Sequence, residues 1–375
     1  MSEVKETKHD LSGSLNVPFG PQHPILIEPV QVTLYSKGEN VINAKISTGY
    51  IHRGIEKAME GRDFHSAVHL AERVCGICNT SHALAYCLAV ENSLGIKPTD
   101  RASLLRVMWA ELNRIHSHLL WLGAFADVMG FEALFMQFWR IRELVLSAVE
   151  LTSGNRIIPS TITVGGVRRD VNEEMVQQVR VLLSKLETEF KKAAPLIEGN
   201  YTVKKRTVNI GFCSKDVAIK TSAVGPMVRG SGVESDIRTT KYSGYSFFDY
   251  KPIVDEGCDC YARTIVRLKE LEVSVKMVSE VLDLLPSHKD DILIKPDKWP
   301  EEIGLSRIEA PRGELFYYVK GNGTKHLGRV RIRVPTYANI PSLLAILPGC
   351  RIADVPVILL TIDPCMGCAE RVVEA

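Results

Sequence analysis

Two pairs of cysteines lie near opposite ends of the chain, in Cys75-Gly-Ile-Cys78 and Cys365-Met-Gly-Cys368. Each pair places two thiols close enough to hold one metal ion, and four thiolates together suit a soft, sulfur-binding metal. A zinc finger or zinc ribbon keeps its pairs within a few tens of residues, whereas nearly the whole chain separates these two. The spacing therefore favours one buried centre that joins both chain ends. Zinc binding and two unrelated pairs remain the alternatives.

The residues around both pairs resemble the large subunits of nickel-iron hydrogenases. Residues 73–82 resemble the RxCGxCxxxH motif of that family, and residues 363–371 resemble its C-terminal DPCxxCxxH/R motif. Ala310-Pro-Arg-Gly313 and Val334-Pro-Thr336 resemble two further segments of the family. The order of the two cysteine motifs and their placement near the chain ends also match, so the coincidence is specific.

Other segments resemble the 49-kDa subunit of respiratory complex I, a relationship typical of energy-converting, membrane-associated hydrogenases. The subunits of complex I lack the four metal cysteines, so their retention here favours a ferredoxin-linked hydrogenase that interconverts H2 and protons. A complex I-like quinone- or sulfur-reducing subunit without a working metal centre is the alternative. The shared segments are Gly20–Pro24, His52–Lys57, Glu111–Leu119, Gly165–Val167 and Gly225–Arg238.

The resemblance implies a role for each of the four cysteines. Nickel would be held by all four thiolates, with Cys78 and Cys368 bridging to an iron that carries carbon monoxide and cyanide. Cys75 and Cys365 would be terminal nickel ligands. A terminal thiolate keeps a lone pair that can accept the proton released when H2 is split, and heterolysis needs such a base within reach.

Five further residues surround this centre by resemblance. His82 follows Cys78 by four residues, hence on the same helical face, and its ring would donate to the bridging sulfur; a core histidine is the alternative. Arg312 would lie over the open metal position and pair with Asp363, unless it is a surface arginine. Pro335 and Thr336 belong to the segment that holds a cyanide ligand, although a threonine there also suits a strand.

Two glutamates extend the candidate site. Glu28 stands at the offset from Cys75 where hydrogenases carry their proton-gate glutamate. Two apolar residues precede it, so we expect it to be partly buried and to pass protons outward, unless it is a surface glutamate. Glu56 matches a glutamate that binds structural magnesium in many relatives; a structural ion pair is equally consistent with that position.

The remaining cysteines and several histidines carry no assigned chemistry. The cysteines are expected to be packing or surface thiols, because Cys258-Asp-Cys260 offers too few ligands for a metal. His65 and His69 are four residues apart but lack a third ligand. His116 and His118 are expected to pack or to line a subunit contact. The unassigned cysteines are Cys87, Cys213, Cys258, Cys260 and Cys350.

The predicted fold is mainly α with a smaller α+β part, like hydrogenase large subunits and the 49-kDa subunit. Residues 1–62 are expected to form an N-terminal loop and hairpin region, of which 1–16 are a loose polar start. Residues 63–375 form a helical catalytic body with a short strand region near 314–334. Within it, periodicity predicts helices over 64–94, 133–151, 175–190 and 265–282, one that begins near 99–100, and an irregular segment over 205–257. The predicted strands are 30–35, 41–46, 314–319 and 329–334.

Composition restricts the partners. A net charge of +2 without a basic block excludes a nucleic-acid footprint. The longest apolar stretch, 340–360, is broken by two prolines and by charges, so it is not a membrane span. The resemblance implies a peripheral subunit on the cytoplasmic side of the membrane. Its partners would be a small subunit with a proximal 4Fe–4S cluster, other iron–sulfur and antiporter-like membrane subunits, and ferredoxin.

The resemblance also bears on the C-terminus. Many relatives are cleaved after the position of Arg371, once nickel is inserted. The short tail 372–375 is therefore expected to be either removed or tolerated.

Overall fold

A three-stranded antiparallel sheet begins the part of the chain that the computed structural model describes, residues 11–370. The start of the chain before residue 11, Arg371 and the tail lie outside that range. Strands β2 (Gln31–Lys37) and β3 (Asn40–Ser47) form the predicted hairpin. Strand β1 (Leu15–Phe19) was missed, because it is a mostly exposed edge strand that contains a proline.

The predicted helix over 64–94 is wrong as a single element. After α1 (Ile55–Glu60), the chain forms two helices there instead, α2 (Ala67–Glu72) and α3 (Asn79–Leu94). A loop interrupts the helix at the first cysteine motif, where the Cys75 sulfur accepts the amide hydrogens of Ile77 and Cys78. These local bonds replace helical ones, which hydrophobic periodicity alone does not reveal.

Helix α4 (Asp100–Val128) forms the centre of the helical body. It begins where predicted, with the Thr99 hydroxyl accepting the amide of Ala102. Almost every residue of α4 is buried, because it packs against α5 (Glu132–Ser153) and α11 (Cys260–Leu284) as well as the N-terminal half of the chain. A helix that is covered on all sides provides a rigid support for the residues that it presents to the site.

The second three-stranded sheet consists of β6 (Ile303–Ala310), β7 (Gly313–Lys320) and β8 (Arg329–Arg333). The last two strands confirm the prediction, but β6 was missed. Its buried positions include Gly304 and Ser306, which weaken the apolar alternation. The Ser306 hydroxyl donates to the carbonyl of Ala85 and so attaches this sheet to α3.

The segment over 205–257 contains only short helices, as its irregular pattern predicted. Buried ion pairs hold it in place. Arg229 contacts Glu270 and Glu309, while Arg238 contacts Glu111 and Asp236. The segment is therefore fixed against α4, α11 and β6.

The remaining elements complete the body. None of the helices within residues 11–370 is long and apolar enough to cross a membrane. The predicted mainly helical fold with smaller strand regions is confirmed. The other elements are β4 (Ile162–Thr163), β5 (Gly166–Val167), α6 (Glu173–Ala193), α7 (Pro195–Glu198), α8 (Tyr201–Thr207), α9 (Lys215–Lys220), α10 (Pro226–Arg229), α12 (Pro335–Ile346), α13 (Val355–Thr361) and α14 (Met366–Ala369).

Candidate metal centre

The four motif cysteines meet in one buried cluster, and their side chains are only 2% to 4% exposed. The Sγ atoms of Cys75 and Cys365 lie 3.3 Å apart, and those of Cys78 and Cys368 lie 3.5 Å apart. Cys365 and Cys368 are also 3.3 Å apart. The structure thus brings together thiols from both chain ends, at separations that allow them to share metal ligation.

Two asparagines hold the loop that carries the first cysteine pair, between α2 and α3. Asn113 of α4 donates to the carbonyl of Ile77 at 2.7 Å. Asn79 donates to the carbonyls of Gly76 and Ile157, at 3.0 and 2.8 Å. Because both side chains are buried, the loop is fixed to α4 and to the connection after α5.

His82 lies beside the second cysteine pair. Its Nε2 is 3.4 Å from the Cys368 sulfur, and its Nδ1 is 2.7 Å from the hydroxyl of Tyr317. The sulfur that it contacts belongs to the C-terminal motif, across the site from its own helix. Tyr317 was not among the sequence candidates. It alternates with half-buried residues in a predicted strand, so its burial was predictable but its histidine partner was not.

Arg312, in the turn between β6 and β7, forms a buried pair with Asp363, which directly follows α13 and its C-cap. The Arg312 side chain donates at 2.9 Å to both the carbonyl oxygen and the carboxylate of Asp363. Asp363 has a positive φ of 54°, so these two bonds hold a strained position directly before the C-terminal motif. Thr336, beside Pro335 in the first turn of α12, accepts the amide of Cys365 at 3.1 Å.

The charges of the cluster suit a bound cation. Hydrogen bonds from Cys365, Cys368 and Cys78 hold the pKa of the Cys75 thiol well below its ordinary value. Burial and the neighbouring sulfurs raise the pKa of Cys368 well above it. Repulsion among buried thiolates therefore limits how many ionise together, and a bound cation removes that limit.

The residues present fit a nickel–iron centre. Four thiolates are the soft donor set that such a metal requires. In addition, the Arg312 Nη1 and Asp363 Oδ2 atoms are buried without a hydrogen-bond partner within residues 11–370. Burial would lower the pKa of Arg312, but Asp363 and the cysteines raise it well above its usual value. A charged donor is thus held beside the thiols, free to contact a bound group.

Glu28 is half-buried and touches the C-terminal cysteine motif. Its Oε2 atom accepts the amide of Gly367 at 2.9 Å. With Asp363 and Pro364 it also lines a cavity of about 10 Å³, which has room for about one water molecule. The carboxylate therefore contacts the C-terminal cysteine motif while its side chain is partly exposed to solvent.

Glu56 is buried away from the thiols, on α1. Its two carboxylate oxygens contact the amide of Ile332 at 2.9 Å and the guanidinium of Arg331 at 3.0 Å, both on β8. These contacts are those of a structural ion pair, which the sequence analysis gave as the alternative to magnesium binding. Magnesium at Glu56 stays a prediction.

The other described cysteines and histidines do not join the groups of candidate metal ligands. Among residues 11–370, the groups with metal-ligand geometry all belong to the four cysteines and His82. His118 pairs with Glu270, and His116 accepts a bond from Arg142. Burial and Arg142 lower the pKa of His116 to about 3, so it is neutral.

Comparison with known proteins assigns the family. Residues 53–128, which include the first cysteine pair, match the nickel-dependent hydrogenase family. Residues 128–301 and 291–371 match the 49 Kd subunit of respiratory-chain NADH dehydrogenase. The chain is a member of this shared family. Its predicted fold and its resemblance to both branches are therefore confirmed.

Individual relatives match almost the whole length of this chain. Subunit alpha of the membrane-bound hydrogenase of Pyrococcus furiosus is 37% identical, over 96% of this chain and 88% of the relative. The carbon monoxide-induced hydrogenase of Rhodospirillum rubrum is 35% identical, over 95% and 99%. A chain in the structure of an archaeal membrane-bound sulfane sulfur reductase superimposes with a TM-score of 0.91, at 29% identity over 96% and 98%. The protein is thus a hydrogenase-large-subunit-like member of an oxidoreductase family.

Proposed function

We propose that this chain is the catalytic large subunit of an energy-converting nickel-iron hydrogenase, which interconverts H2 with protons and electrons. The observation that carries the proposal is the closure of four buried thiols, from both chain ends, into one cluster. The unpartnered Arg312 Nη1 beside them supports it, because a buried cationic donor at that position can contact a group bound at the cluster.

The chain's own residues would have distinct tasks in this reaction. Cys75, Cys78, Cys365 and Cys368 would hold a nickel–iron centre with carbon monoxide and cyanide on the iron. When bound, that centre would supply the electrophilic site at which H2 is polarised and split. Arg312, fixed by Asp363, would keep a positive charge at the open side of the site and orient the substrate.

The proton would move through two residues. The Cys365 sulfur would accept it as a base within the cluster, and the Glu28 carboxylate would take it next. Glu28 suits this role because it binds the Gly367 amide, inside the Cys365–Cys368 motif, and reaches the small cavity. His82 would donate to the Cys368 sulfur and limit its basicity, so that the proton is directed to Cys365.

Electrons would leave through partner subunits. Within residues 11–370, no second cysteine cluster accompanies the one at the site. A small subunit with a proximal 4Fe–4S cluster, further iron–sulfur subunits and ferredoxin would complete the electron path. Antiporter-like membrane subunits would couple the reaction to ion translocation and hold this subunit on the cytoplasmic side of the membrane. The relatives named for membrane-bound complexes support this arrangement.

A second function has support as well, because the relatives include subunits of NADH-quinone oxidoreductases, and the structural neighbour belongs to a sulfane sulfur reductase. Such an enzyme could keep the fold without hydrogenase chemistry. The complete set of four clustered thiols supports the hydrogenase instead.

A matched pair of cysteine variants tests the proposal. Cys365→Ser replaces a soft thiolate by a poorly ionised hydroxyl, so nickel content and H2 turnover should both be lost. Cys213→Ser alters a buried thiol that belongs to none of the groups with metal-ligand geometry, and should leave nickel near normal. If Cys213→Ser lost nickel while Cys75→Ser kept it, the assignment of the ligands would be wrong.

A further inference from the structure

One arginine from the N-terminal part of the chain joins both cysteine motifs. Arg53 donates through Nη1 to the carbonyl of Arg73 at 2.9 Å. Its Nη2 donates to the carbonyls of Val74 at 2.7 Å and Gly367 at 3.0 Å. The first two carbonyls directly precede Cys75, and the third lies between Cys365 and Cys368. A single planar guanidinium thus bridges the two halves of the thiol cluster, which its fork geometry permits.

The two residues before Arg53 hold the same C-terminal arm, defined here as residues 363–370. The amide of Ile51 donates to the Glu370 carboxylate at 2.6 Å, and the His52 ring contacts the Glu370 carbonyl at 3.0 Å. Gly54 follows with a φ of 59°, which reverses the chain into α1. Three consecutive residues, 51–53, therefore contact the arm. The turn at Gly54 connects them directly to α1.

The middle of the C-terminal motif is fitted tightly against this segment. The amide of Gly367 donates to Glu28 and its carbonyl accepts from Arg53. A Cβ atom at residue 367 would lie 3.0 Å from Glu28 Oε1 and 3.3 Å from Arg53 Nη2. Only glycine leaves both partners undisturbed.

The thiols themselves are buried, whereas Arg53 and His52 are exposed. A metal can leave such a buried cluster only if part of the structure around it moves. The bonds made by exposed groups exchange readily with water, so they belong to the part of the structure that opens at least cost.

We propose that Ile51-His52-Arg53 is a latch that holds the C-terminal arm closed over the four cysteines and controls the rate at which bound metal is released. Arg53 is a positioning residue in this account, because it acts on the cysteines through their backbone. The metal-release part of the proposal rests on the proposed nickel–iron function. The closure of the arm does not.

Hydrogen–deuterium exchange of the intact, purified complex tests the latch. Arg53→Met keeps the aliphatic stem but removes all three bonds. Amides in residues 363–370 should then exchange about tenfold faster, as expected for the loss of one or more net hydrogen bonds. Arg53→Lys, which retains one charged donor, should fall between Arg53→Met and the unaltered chain. Gly367→Ala places a Cβ atom against the Arg53 guanidinium, so it should also accelerate exchange.

A matched control removes an arginine that contacts neither motif. Arg307 is exposed and pairs with Glu314, so Arg307→Met should leave exchange in 363–370 unchanged. Amides of α4 should be unaffected in every variant, which separates local opening from general destabilisation. Loss of nickel to excess EDTA, measured over time, should be faster in Arg53→Met than in Arg307→Met.

The outcomes are distinct. Exchange in 363–370 that is unchanged in Arg53→Met, or that rises equally in α4, would overturn the latch. Equal nickel-release rates in Arg53→Met and Arg307→Met would overturn its control of the metal. A complex that contains no nickel before any substitution would contradict the proposed function instead, and the exchange data would still decide whether the arm is latched.

Discussion

Glu28→Gln is the substitution that tests the proton path most selectively. Glutamine has the shape of glutamate, and its Oε1 atom can still accept the Gly367 amide that Glu28 binds at 2.9 Å. It cannot take up and release a proton at neutral pH. The substitution therefore separates the structural contact from proton transfer.

The expected sizes of the two effects differ widely. Replacing a charged acceptor by a neutral one in a half-buried bond should cost about 1 kcal/mol of local stability. Removing a group that transfers protons should slow turnover about 10²- to 10⁴-fold. Nickel should thus stay bound while H2 evolution and uptake collapse.

The assay compares H2 evolution from a reduced low-potential dye with H2 uptake, on complex whose nickel content is measured in the same preparation. Glu39→Gln, in the exposed turn between β2 and β3, is the matched control and should behave like the unaltered protein. Glu28→Asp should keep partial activity. Near-normal turnover in Glu28→Gln would remove this residue from the proton path, and loss of nickel would make its role structural.

Three further substitutions test the surroundings of the site. Glu91→Gln leaves the buried Arg106 without its charged partner and should reduce the free energy of unfolding by about 3–5 kcal/mol; an unchanged denaturation midpoint would refute this. Thr336→Val removes a hydroxyl beside the thiols and should shift the cyanide infrared bands with nickel retained, so unshifted bands would exclude contact with cyanide. Tyr317→Phe removes the hydroxyl that contacts His82 Nδ1 and should lower nickel affinity or turnover about tenfold; nickel-binding titrations and turnover that both match the unaltered protein would show that this contact does not position the ring.

Much of the fold could be predicted from sequence where one pattern dominates. The hairpin of β2 and β3 and the long helices α4 and α11 follow from alternation, periodicity and the Thr99 cap. Strand β6 was missed because Gly304 and Ser306 occupy its buried face. The break at Arg73–Cys78 was missed because the thiol of Cys75, which holds the loop, has no signature in hydrophobicity.

Some residues of the site could be predicted from the sequence, and others could not. The two cysteine pairs are visible in the sequence because their chemistry depends on residue type and short spacing. The contacts of Arg53 and Tyr317 depend on how distant segments pack, so no local spacing reveals them. Arg53 stands in His52–Lys57, a segment already singled out by resemblance, and that was the signal available for it. The charge of the cluster likewise emerges only when both chain ends are brought together.

Metal analysis combined with infrared spectroscopy of the purified complex tests the central claim most directly. The four clustered thiols predict about one nickel per chain, together with infrared bands from carbon monoxide and cyanide on iron. Zinc in place of nickel, or a complex without metal and without those bands, would contradict the hydrogenase assignment.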